Sequence, residues 1–234
     1  MCGIAGIFSN TPPGSEHIRK MTDVLAHRGP DADGYFVNDH VALGHRRLSV
    51  IDLDARSHQP FFSQNKRYVV VFNGEIYNFR KIATELNDEG IILKTTSDTE
   101  VLIEAFARWG VGFVHKLSGM FAFVIYDILE NKVFLFRDRV GKKPLYYYHR
   151  EGLFLFASEI KSILQHPAVA TRLKIDKSTI SDFLQLGYIP QPKTFYKDIY
   201  KFPSGHFGIL ENTALSILPY WNLSHYITTS RTLT

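Results

Sequence analysis

Cysteine is almost absent from this sequence, because Cys2 is the only cysteine in 234 residues. One thiol excludes an intramolecular disulfide, and no Cys/His cluster has the ligand spacing of a structural zinc site. The sequence also has no apolar run longer than a strand, and residues 1–18 have no Lys or Arg ahead of an apolar segment. We therefore expect an intracellular, cytoplasmic protein with no membrane span and no bound metal.

The sequence also has little excess of one charge sign, since its formal net charge is only +4. The densest basic segment, residues 137–150, contains aromatic residues, as proteins that bind single-stranded nucleic acid often do. No nucleic-acid motif accompanies it, so we favour a turn between two strands and expect no nucleic-acid partner. The hydrophobic share of 45% is enough for one large core or two modest ones.

Hydrophobic periodicity predicts a chain that mixes strands with segregated helices. Helices are expected from about Ser15, from Phe79 to Gly90, and from Ser97, where residues 97–100 match a capping box. Strands are predicted at 4–8, 41–51, 68–72, 206–210 and 214–219, with a meander at 118–127, 132–137, 145–149 and 153–157 and short helices at 159–165 and 177–186. This pattern predicts an α+β fold, for which two antiparallel sheets face to face with helices outside is one packing.

Cys2 follows the initiator methionine directly. Methionine aminopeptidases remove an initiator that precedes a small residue, so we expect a mature chain that begins with Cys2. Such a residue carries a thiol nucleophile and an α-amine that titrates at about 7.7 to 8.0 and can accept the thiol proton through a water. The alternatives are a small hydrophobic residue buried in a first strand and a cysteine that is exposed by accident.

Four other motifs accompany this start. They are residues 27–31 (His-Arg-Gly-Pro-Asp), 45–51 (His-Arg-Arg-Leu-Ser-Val-Ile), 73–78 (Asn-Gly-Glu-Ile-Tyr-Asn) and 97–100 (Ser-Asp-Thr-Glu). With the Cys-Gly-Ile start they resemble the class II glutamine amidotransferase domain of glutamine-hydrolysing asparagine synthetases. The resemblance continues almost to the end of the chain. It implies an N-terminal-nucleophile hydrolase fold, a four-layer αββα sandwich of two antiparallel sheets.

The resemblance also implies catalytic roles. The Cys2 thiolate attacks the side-chain amide of glutamine and forms a γ-glutamyl thioester while ammonia leaves. The side-chain amide of Asn73 and the backbone N–H of Gly74 form the oxyanion hole. Alone, an Asn-Gly pair is typical of a hairpin turn, and residues 73–78 are expected to form a turn after a strand.

The remaining expected site residues hold the substrate. Arg47 suits the α-carboxylate, and Glu75 and Asp98 suit the α-ammonium. The full expected substrate-binding set is Arg47, Leu48, Ser49, Val50, Ile51, Asn73, Gly74, Glu75 and Asp98. Alternatives are a solvated edge-strand charge for Arg47 and a helix-dipole partner for Asp98.

Other polar segments receive no catalytic role. Arg46 is interpreted as a bystander, and residues 27–31 as either a loop near the pocket that Arg28 orders or a structural turn. Residues 137–148 and 158–164 are interpreted as core or partner-facing scaffold.

The family's ATP-dependent domain is the part that this sequence does not contain. It has no Ser-Gly-Gly-x-Asp-Ser loop and no GxxxxGK[ST] motif. We predict a glutaminase domain at 1–189, with residues 190–234 as its extension and a linker toward the absent synthetase domain. The glutaminase step is expected to need no cofactor, while ATP and Mg²⁺ belong to the synthetase reaction.

The expected partners are L-glutamine and a synthetase domain or subunit that accepts ammonia, with a homodimer left open. The chain is a truncated synthetase, an excised domain or a separate subunit. Two other hypotheses are a catalytically silent module that senses glutamine and the amidotransferase part of another amide-forming ligase.

Overall fold

The computed structural model describes residues 1–49 and 54–224. In chain order the elements are β1 (Gly3–Ser9), α1 (Ser15–Asp23), β2 (Ala32–Val37), β3 (Val41–Arg47), β4 (Phe61–Phe62), β5 (Tyr68–Ile76), α2 (Phe79–Asp88), α3 (Asp98–Trp109), β6 (Gly119–Asp127), β7 (Lys132–Arg137), β8 (Tyr146–Arg150), β9 (Leu153–Ala157), α4 (Ile160–Ile163), α5 (Pro167–Ala170), α6 (Ser178–Leu186), β10 (Ile199–Lys201), β11 (His206–Glu211) and β12 (Ala214–Pro219). Single 3₁₀ segments lie at Ala55–Ser57 and Gly110–Lys116.

The strands of the described ranges form two antiparallel sheets. The first sheet has the order β10-β8-β9-β1-β3-β2, and the second has the order β12-β11-β7-β6-β5-β4. Their inner faces share one core, in which Ile4, Leu43 and Phe156 of the first sheet meet residues of the second such as Val71 and Val124. Alternation along each strand places these side chains on the inner face.

Helices cover the outer face of each sheet. Ile18 and Met21 of α1 pack with Ile163 of α4 on the first sheet, whereas Leu86 of α2 and Phe106 of α3 pack on the second. The predicted αββα sandwich is therefore confirmed.

The predicted meander is wrong in one respect, because its four strands divide between the two sheets. β6 and β7 pair in the second sheet, and β8 and β9 pair in the first. Residues 138–145, here called the crossover, connect them. The Asp138 carboxylate accepts the backbone N–H groups of Val140, Lys142 and Lys143, which turns the chain out of the second sheet.

The last described strands take part in both sheets. β10 pairs with β8 of the first sheet, and β11 pairs with β7 of the second. The domain boundary at residue 190 stays a prediction. Across the described residues, every helix is too short or too polar to cross a bilayer.

Candidate active site

The candidate nucleophile lies beside the interior strand of the first sheet. Cys2 immediately precedes β1, which pairs with β3 on one side and β9 on the other. Its sulfur lies against Leu48, whose backbone N–H is 3.5 Å from Sγ and whose carbonyl oxygen is 3.8 Å away. Burial raises the pKa of the Cys2 thiol, while the Leu48 backbone and the positive charges of the N-terminus and Arg47 oppose that rise.

Residues 27–31 pack tightly against the end of β3. A Cβ on Gly29 would lie 2.3 Å from the carbonyl carbon and oxygen of Arg46, so no larger residue fits here. The Asp31 N–H donates to the Arg47 carbonyl at 3.0 Å, and the Ser49 N–H donates to the Asp31 carboxylate at 2.7 Å. This loop therefore fixes the backbone on both sides of Leu48.

Arg28 of the same loop holds the N-terminus. Its Nε donates to the Cys2 carbonyl at 2.9 Å, and its Nη1 donates to Glu159 at 2.9 Å. Burial opposes ionisation of Glu159, but hydrogen bonds from Arg28, His27 and Lys161 outweigh it and lower the pKa of that carboxyl to about 2. Arg28 thus has a permanent anionic partner, and the loop orders the segment that carries Cys2.

Asn73 and Gly74 do not form the predicted turn. Both lie within β5, paired with Ala122 and Phe121 of β6. Gly74 is required for close approach, since a Cβ would lie 2.3 Å from the Met120 carbonyl oxygen. The Asn-Gly signal was misleading because pairing with a long neighbouring strand overrides local turn preference.

On the side of β5 that faces away from β6, backbone N–H groups donate to side-chain oxygens. The Phe121 N–H donates to the Asp138 carboxylate, and the Phe121 carbonyl accepts the Asp138 N–H. Both groups of Phe121 are therefore turned away from β5, and the N–H of Gly74, which lies opposite Phe121, points away from β6. On this same edge, the Phe72 N–H donates to Gln59 Oε1 at 2.6 Å and the Ile76 N–H to Asp98 Oδ2 at 3.1 Å. The N–H of Gly74 lies between these two bonds, on the side of the strand that lines the cavity described below.

The Asn73 side chain is buried and has no hydrogen-bond partner at either its oxygen or its nitrogen. Leaving a buried amide unpaired costs about 1 to 3 kcal/mol per group. A buried polar group of this kind is a candidate to bind an ordered water or a ligand.

Asp98 is buried at the first turn of α3. Ser97 caps this helix by accepting the Thr99 N–H at 3.1 Å. The predicted capping box is only half formed, because Glu100 accepts the N–H groups of Lys94 and Thr95 instead of that of Ser97. Burial, reinforced by the nearby Glu75 charge, raises the pKa of Asp98 to about 6 against the opposing Ile76 hydrogen bond.

The two neighbouring arginines of β3 differ in environment. Arg47 is buried and donates to the Asp54 carbonyl at 3.0 Å. Arg46 extends to the surface, where it forms ion pairs with Asp23 and Asp33. Arg47 therefore faces the cavity, and Arg46 faces the outer helix layer.

One cavity of about 200 Å³ gathers most of the predicted residues. At roughly 30 Å³ per water, this volume corresponds to about seven water molecules, which is comparable to a small amino acid. Its lining among the described residues is Met1, Cys2, Arg47, Leu48, Ser57, Gln59, Phe72, Asn73, Gly74, Glu75, Ser97, Asp98, Thr99, Met120 and Lys143. Ser49 lies outside this lining set and bonds Asp31 instead, and the predicted residues Val50 and Ile51 fall outside the described residues.

Sequence reasoning missed several cavity residues. Gln59 and Ser57 belong to a segment without a periodic pattern, and their place follows from the bond between Gln59 and β5. Lys143 lies in the basic segment for which the sequence predicts a scaffold role. No signal within these short stretches indicates that the crossover returns to the cavity.

The chain matches the family described as "Glutamine amidotransferase domain" over residues 1–221. The chain belongs to this family. It is 35% identical over 227 residues to asparagine synthetase [glutamine-hydrolyzing] 1 of Bacillus subtilis, covering 94% of this chain and 35% of that protein. A putative asparagine synthetase [glutamine-hydrolyzing] 2 of Methanocaldococcus jannaschii is 34% identical over 247 residues, with coverages of 97% and 47%.

Another relative of this chain does not carry the asparagine synthetase name. A protein of Gibberella zeae called Amidase chry2 is 35% identical over 245 residues, covering 96% of this chain and 35% of that protein. The chain thus spans about a third to a half of the length of these relatives.

The solved structures support the fold. A glutamine phosphoribosylpyrophosphate amidotransferase of Bacillus subtilis, complexed with ADP and GMP, superposes with a TM-score of 0.69 at 21% identity, covering 94% of this chain and 49% of that one. At this identity the likeness shows the fold alone.

Among the described residues of this amidotransferase, no group of three or more His, Cys, Asp and Glu side chains is arranged to hold a metal ion.

Proposed function

We propose that this chain hydrolyses L-glutamine to glutamate and ammonia, with Cys2 as the nucleophile. The main observation behind this proposal is that the Cys2 thiol and the unpaired Asn73 amide line the same cavity as Arg47 and Asp98. This set supplies a nucleophile, an oxyanion donor and two charges for an α-amino acid. Membership of the glutamine amidotransferase family supports the same reaction.

The chemistry proceeds in two halves. The Cys2 thiolate attacks the side-chain carbonyl carbon of glutamine, and the resulting oxyanion accepts hydrogen bonds from the Asn73 side chain and the Gly74 N–H. The C–N bond breaks, the nitrogen takes a proton, and ammonia leaves a γ-glutamyl thioester. Water then attacks that thioester, releases glutamate and returns the sulfur to its starting state.

Arg47 and Asp98 would select the substrate at its other end. The Arg47 guanidinium pairs with the α-carboxylate, and Asp98, with Glu75 beside it, accepts the α-ammonium. Because the two charges lie at fixed positions on β3 and α3, D-glutamine is expected to be a poor substrate.

The α-amine of Cys2 would manage the thiol proton, which requires removal of Met1. If Met1 stays, its nitrogen carries the free amine and that of Cys2 is a peptide nitrogen without basicity. In the chain that retains Met1, burial lowers the pKa of the Met1 amine.

The ammonia would pass to an ATP-dependent synthetase portion, as the names of the relatives suggest, and the glutaminase step itself needs no cofactor. A docking surface is available after Ser158. Apolar side chains of α6 and the residues that follow it are exposed, with Leu184 78% exposed and Ile180, Phe183, Leu186 and Tyr188 beside it in sequence. An apolar face of this kind is typical of a surface that packs against another domain.

Two other functions remain candidates. One is the amidotransferase part of another amide-forming ligase, since a relative of similar identity does not carry the asparagine synthetase name. A silent module that senses glutamine would keep the cavity and lose turnover.

The deciding experiment supplies purified protein with glutamine alone. Intact mass establishes whether Met1 is absent, and glutamate release is followed for the native chain and for Cys2→Ala. We expect turnover only with Cys2 present and Met1 absent. Glutamine binding without glutamate release would favour the sensor, and normal turnover by protein that retains Met1 would contradict the proposed base.

A second assay tests the need for an acceptor. With glutamine, aspartate, ATP and Mg²⁺ together, the chain is expected to form glutamate and ammonia but no asparagine, AMP or pyrophosphate. Any of these three products above the Cys2→Ala background would reveal a nucleotide site within the chain.

A further inference from the structure

Gln59 takes the place beside β5 that a longer neighbouring strand would occupy. Phe61 of β4 lies opposite Val70 of β5. An extension of this register would place Gln59 opposite Phe72, but Pro60 has no N–H with which to continue the ladder. The side-chain oxygen of Gln59 accepts the Phe72 N–H instead, at 2.6 Å. A side-chain amide therefore replaces a strand partner at this point of β5.

The other end of the same amide reaches α3. Gln59 Nε2 donates to Thr99 Oγ1 at 3.3 Å, and both residues are buried and line the cavity. Thr99 follows Asp98, whose carboxylate accepts the Ile76 N–H at 3.1 Å. The start of α3 is thus attached to β5 at Phe72 and again at Ile76.

These hydrogen bonds close a ring beside the cavity. The ring starts at Phe72, passes through the Gln59 amide and the first turn of α3, and returns to β5 at Ile76. Gly74 lies midway between the two attachment points on β5. The ring therefore fixes the separation between the Gly74 N–H and the Asp98 carboxylate.

A histidine of the other sheet holds the starting point of the ring. His45 Nε2 of β3 lies 3.2 Å from the Phe72 carbonyl oxygen, and since a carbonyl only accepts, Nε2 carries the proton. His45 is fully buried, and that burial lowers its pKa to about 3, so the imidazole is neutral near pH 7. Phe72 is consequently held at both its N–H and its carbonyl, and the ring is anchored to the strand that carries Arg47.

The two groups that the ring holds apart match two ends of the proposed substrate. The Gly74 N–H would contact the side-chain oxygen of glutamine, and Asp98 would contact its α-ammonium. Asparagine is shorter by one methylene, and a difference of one methylene changes kcat/KM by roughly 10- to 200-fold in a well-fitted site. A fixed spacing between these groups would therefore distinguish the two amino acids by length.

We propose that Gln59 is a positioning residue that sets the spacing between the Gly74 N–H and Asp98, and thereby selects glutamine over asparagine. Thr99 completes the connection on the side of α3. The inference rests on the proposed function in taking Gly74 and Asp98 as the groups that hold the substrate, but its test needs no turnover.

The test measures how Cys2 responds to the length of a reagent. Two L-amino-acid diazo ketones are used, one with the length of glutamine and one shorter by a methylene, and each alkylates a thiol with loss of N₂. Because Cys2 is the only cysteine, intact mass gives both labelling rates in the Met1-free chain. The native chain is expected to react at least about tenfold faster with the longer reagent. Iodoacetamide, which has no α-amino acid groups, measures the reactivity of the thiol itself.

Gln59→Met keeps the length of the side chain and removes both of its hydrogen bonds. We expect it to lower the ratio of the two labelling rates by about tenfold and to leave the iodoacetamide rate unchanged. Thr99→Val should lower the ratio as well, while Thr99→Ser retains the hydroxyl and should keep the native ratio. Because both substitutions break the same bond, the double variant should fall no further than Gln59→Met.

Gln64→Met is the matched control. Gln64 also donates its side-chain amide to α3, at Glu100 Oε1 over 3.4 Å, but it is exposed and lies outside the cavity lining. The ratio of labelling rates should stay within about twofold of the native value, since a bond at the far side of the helix does not hold Gly74 and Asp98 apart.

Three results would overturn the proposal. They are a native ratio in folded Gln59→Met, an equal fall in Gln64→Met, and a fall in the iodoacetamide rate that accounts for the whole change. If Gln59→Met does not fold, the pair Thr99→Val and Thr99→Ser decides, and equal ratios in these two variants contradict the proposal.

Glutamate release, measured in parallel, separates this inference from the proposed function. A native chain that releases no glutamate but shows the expected change of ratio in its variants retains the inference and loses the function. A chain that hydrolyses glutamine while Gln59→Met keeps the native ratio does the reverse.

Discussion

The two walls of the cavity are built by different means. The wall of the first sheet carries Cys2 and Leu48, and loop contacts from residues 27–31 hold it in place. The wall of the second sheet carries Asn73 and Gly74 within a continuous strand and Asp98 at a helix start. The proposed nucleophile therefore depends on long-range loop contacts, whereas the proposed oxyanion donors depend on regular elements. Substitutions in the second wall should act through single side chains, and substitutions in the first should act through displacement of backbone.

The largest effect is expected from Asn73→Ala in the second wall. Loss of one oxyanion donor should lower kcat by roughly 10² to 10³, with little change in KM. Asn78→Ala is the matched control, since Asn78 lies in the same sequence motif but bonds Lys116 and Ser118 outside the cavity. Steady-state glutaminase kinetics measure both variants. An Asn73→Ala enzyme with native kcat would make Asn73 a purely structural residue.

Gly29→Ala tests the first wall without touching a catalytic group. The added methyl would collide with the backbone between Arg46 and Arg47 and displace the segment that contacts the Cys2 sulfur. A displacement of about 1 Å can lower the rate by roughly 10². Gly112→Ala provides the control, because a Cβ there meets open space. If kcat/KM of Gly29→Ala matches that of Gly112→Ala, the loop does not position the nucleophile.

A third comparison uses the adjacent arginines. Arg47→Lys should raise KM for glutamine by roughly 10- to 100-fold with a smaller change in kcat, because a lysine cannot form the bidentate pair with a carboxylate. Arg46→Lys should leave KM within about twofold, since surface ion pairs contribute little. Equal effects in the two variants would contradict the assignment of Arg47 to the α-carboxylate.

The pH dependence sharpens the role of Asp98. Its raised pKa of about 6 means that the carboxylate proposed to accept the substrate ammonium is mostly ionised at pH 7 and loses its charge as the pH falls through 6. At pH 5 only about a tenth of it is ionised, so KM should rise about tenfold between pH 7 and 5. In Asp98→Asn, KM should be high at both pH values and nearly independent of pH over this range.

The smallest expected effect is that of Asp98 on the stability of the fold. Because the folded pKa of Asp98 lies above its unfolded value of 3.8, the fold loses stability as the pH rises from that value to about 6, and the loss is complete above pH 6. Asp98→Asn should therefore raise the free energy of unfolding at pH 7 by roughly 1 to 3 kcal/mol, and the gain should shrink toward pH 4. Urea denaturation at the two pH values measures this, and a variant less stable than the native chain at pH 7 would contradict it.

Local signals in the sequence were sufficient for much of the second wall. The start of α3 could be predicted from Ser97, and α2 from its apolar stripe, because capping and periodicity depend on near neighbours. The Asn73–Gly74 turn was wrong because strand pairing with β6 decided the backbone there. Identification of the residues in this wall relied on the family resemblance as well as on local chemistry.

The first wall and the crossover could not be predicted to the same depth. The bonds from Arg28 to Cys2 and Glu159 join residues far apart in sequence, and no local pattern encodes them. The division of the predicted meander between two sheets likewise depends on the Asp138 carboxylate. Lys143 was missed for this reason, since its place in the cavity follows from the crossover and not from its neighbours.

The position of β1 inside the first sheet has a consequence for biosynthesis. β1 pairs with β3 and with β9, whose residues leave the ribosome roughly 150 positions later. The first strand made must therefore wait, unpaired on one side, until Ala157 and Ser158 have emerged to bond Ala5 and Ile4. The cavity is incomplete during that interval, because Met120 and Lys143 also line it. Translation itself thus delays completion of the site around the proposed nucleophile until residue 143 has been synthesised.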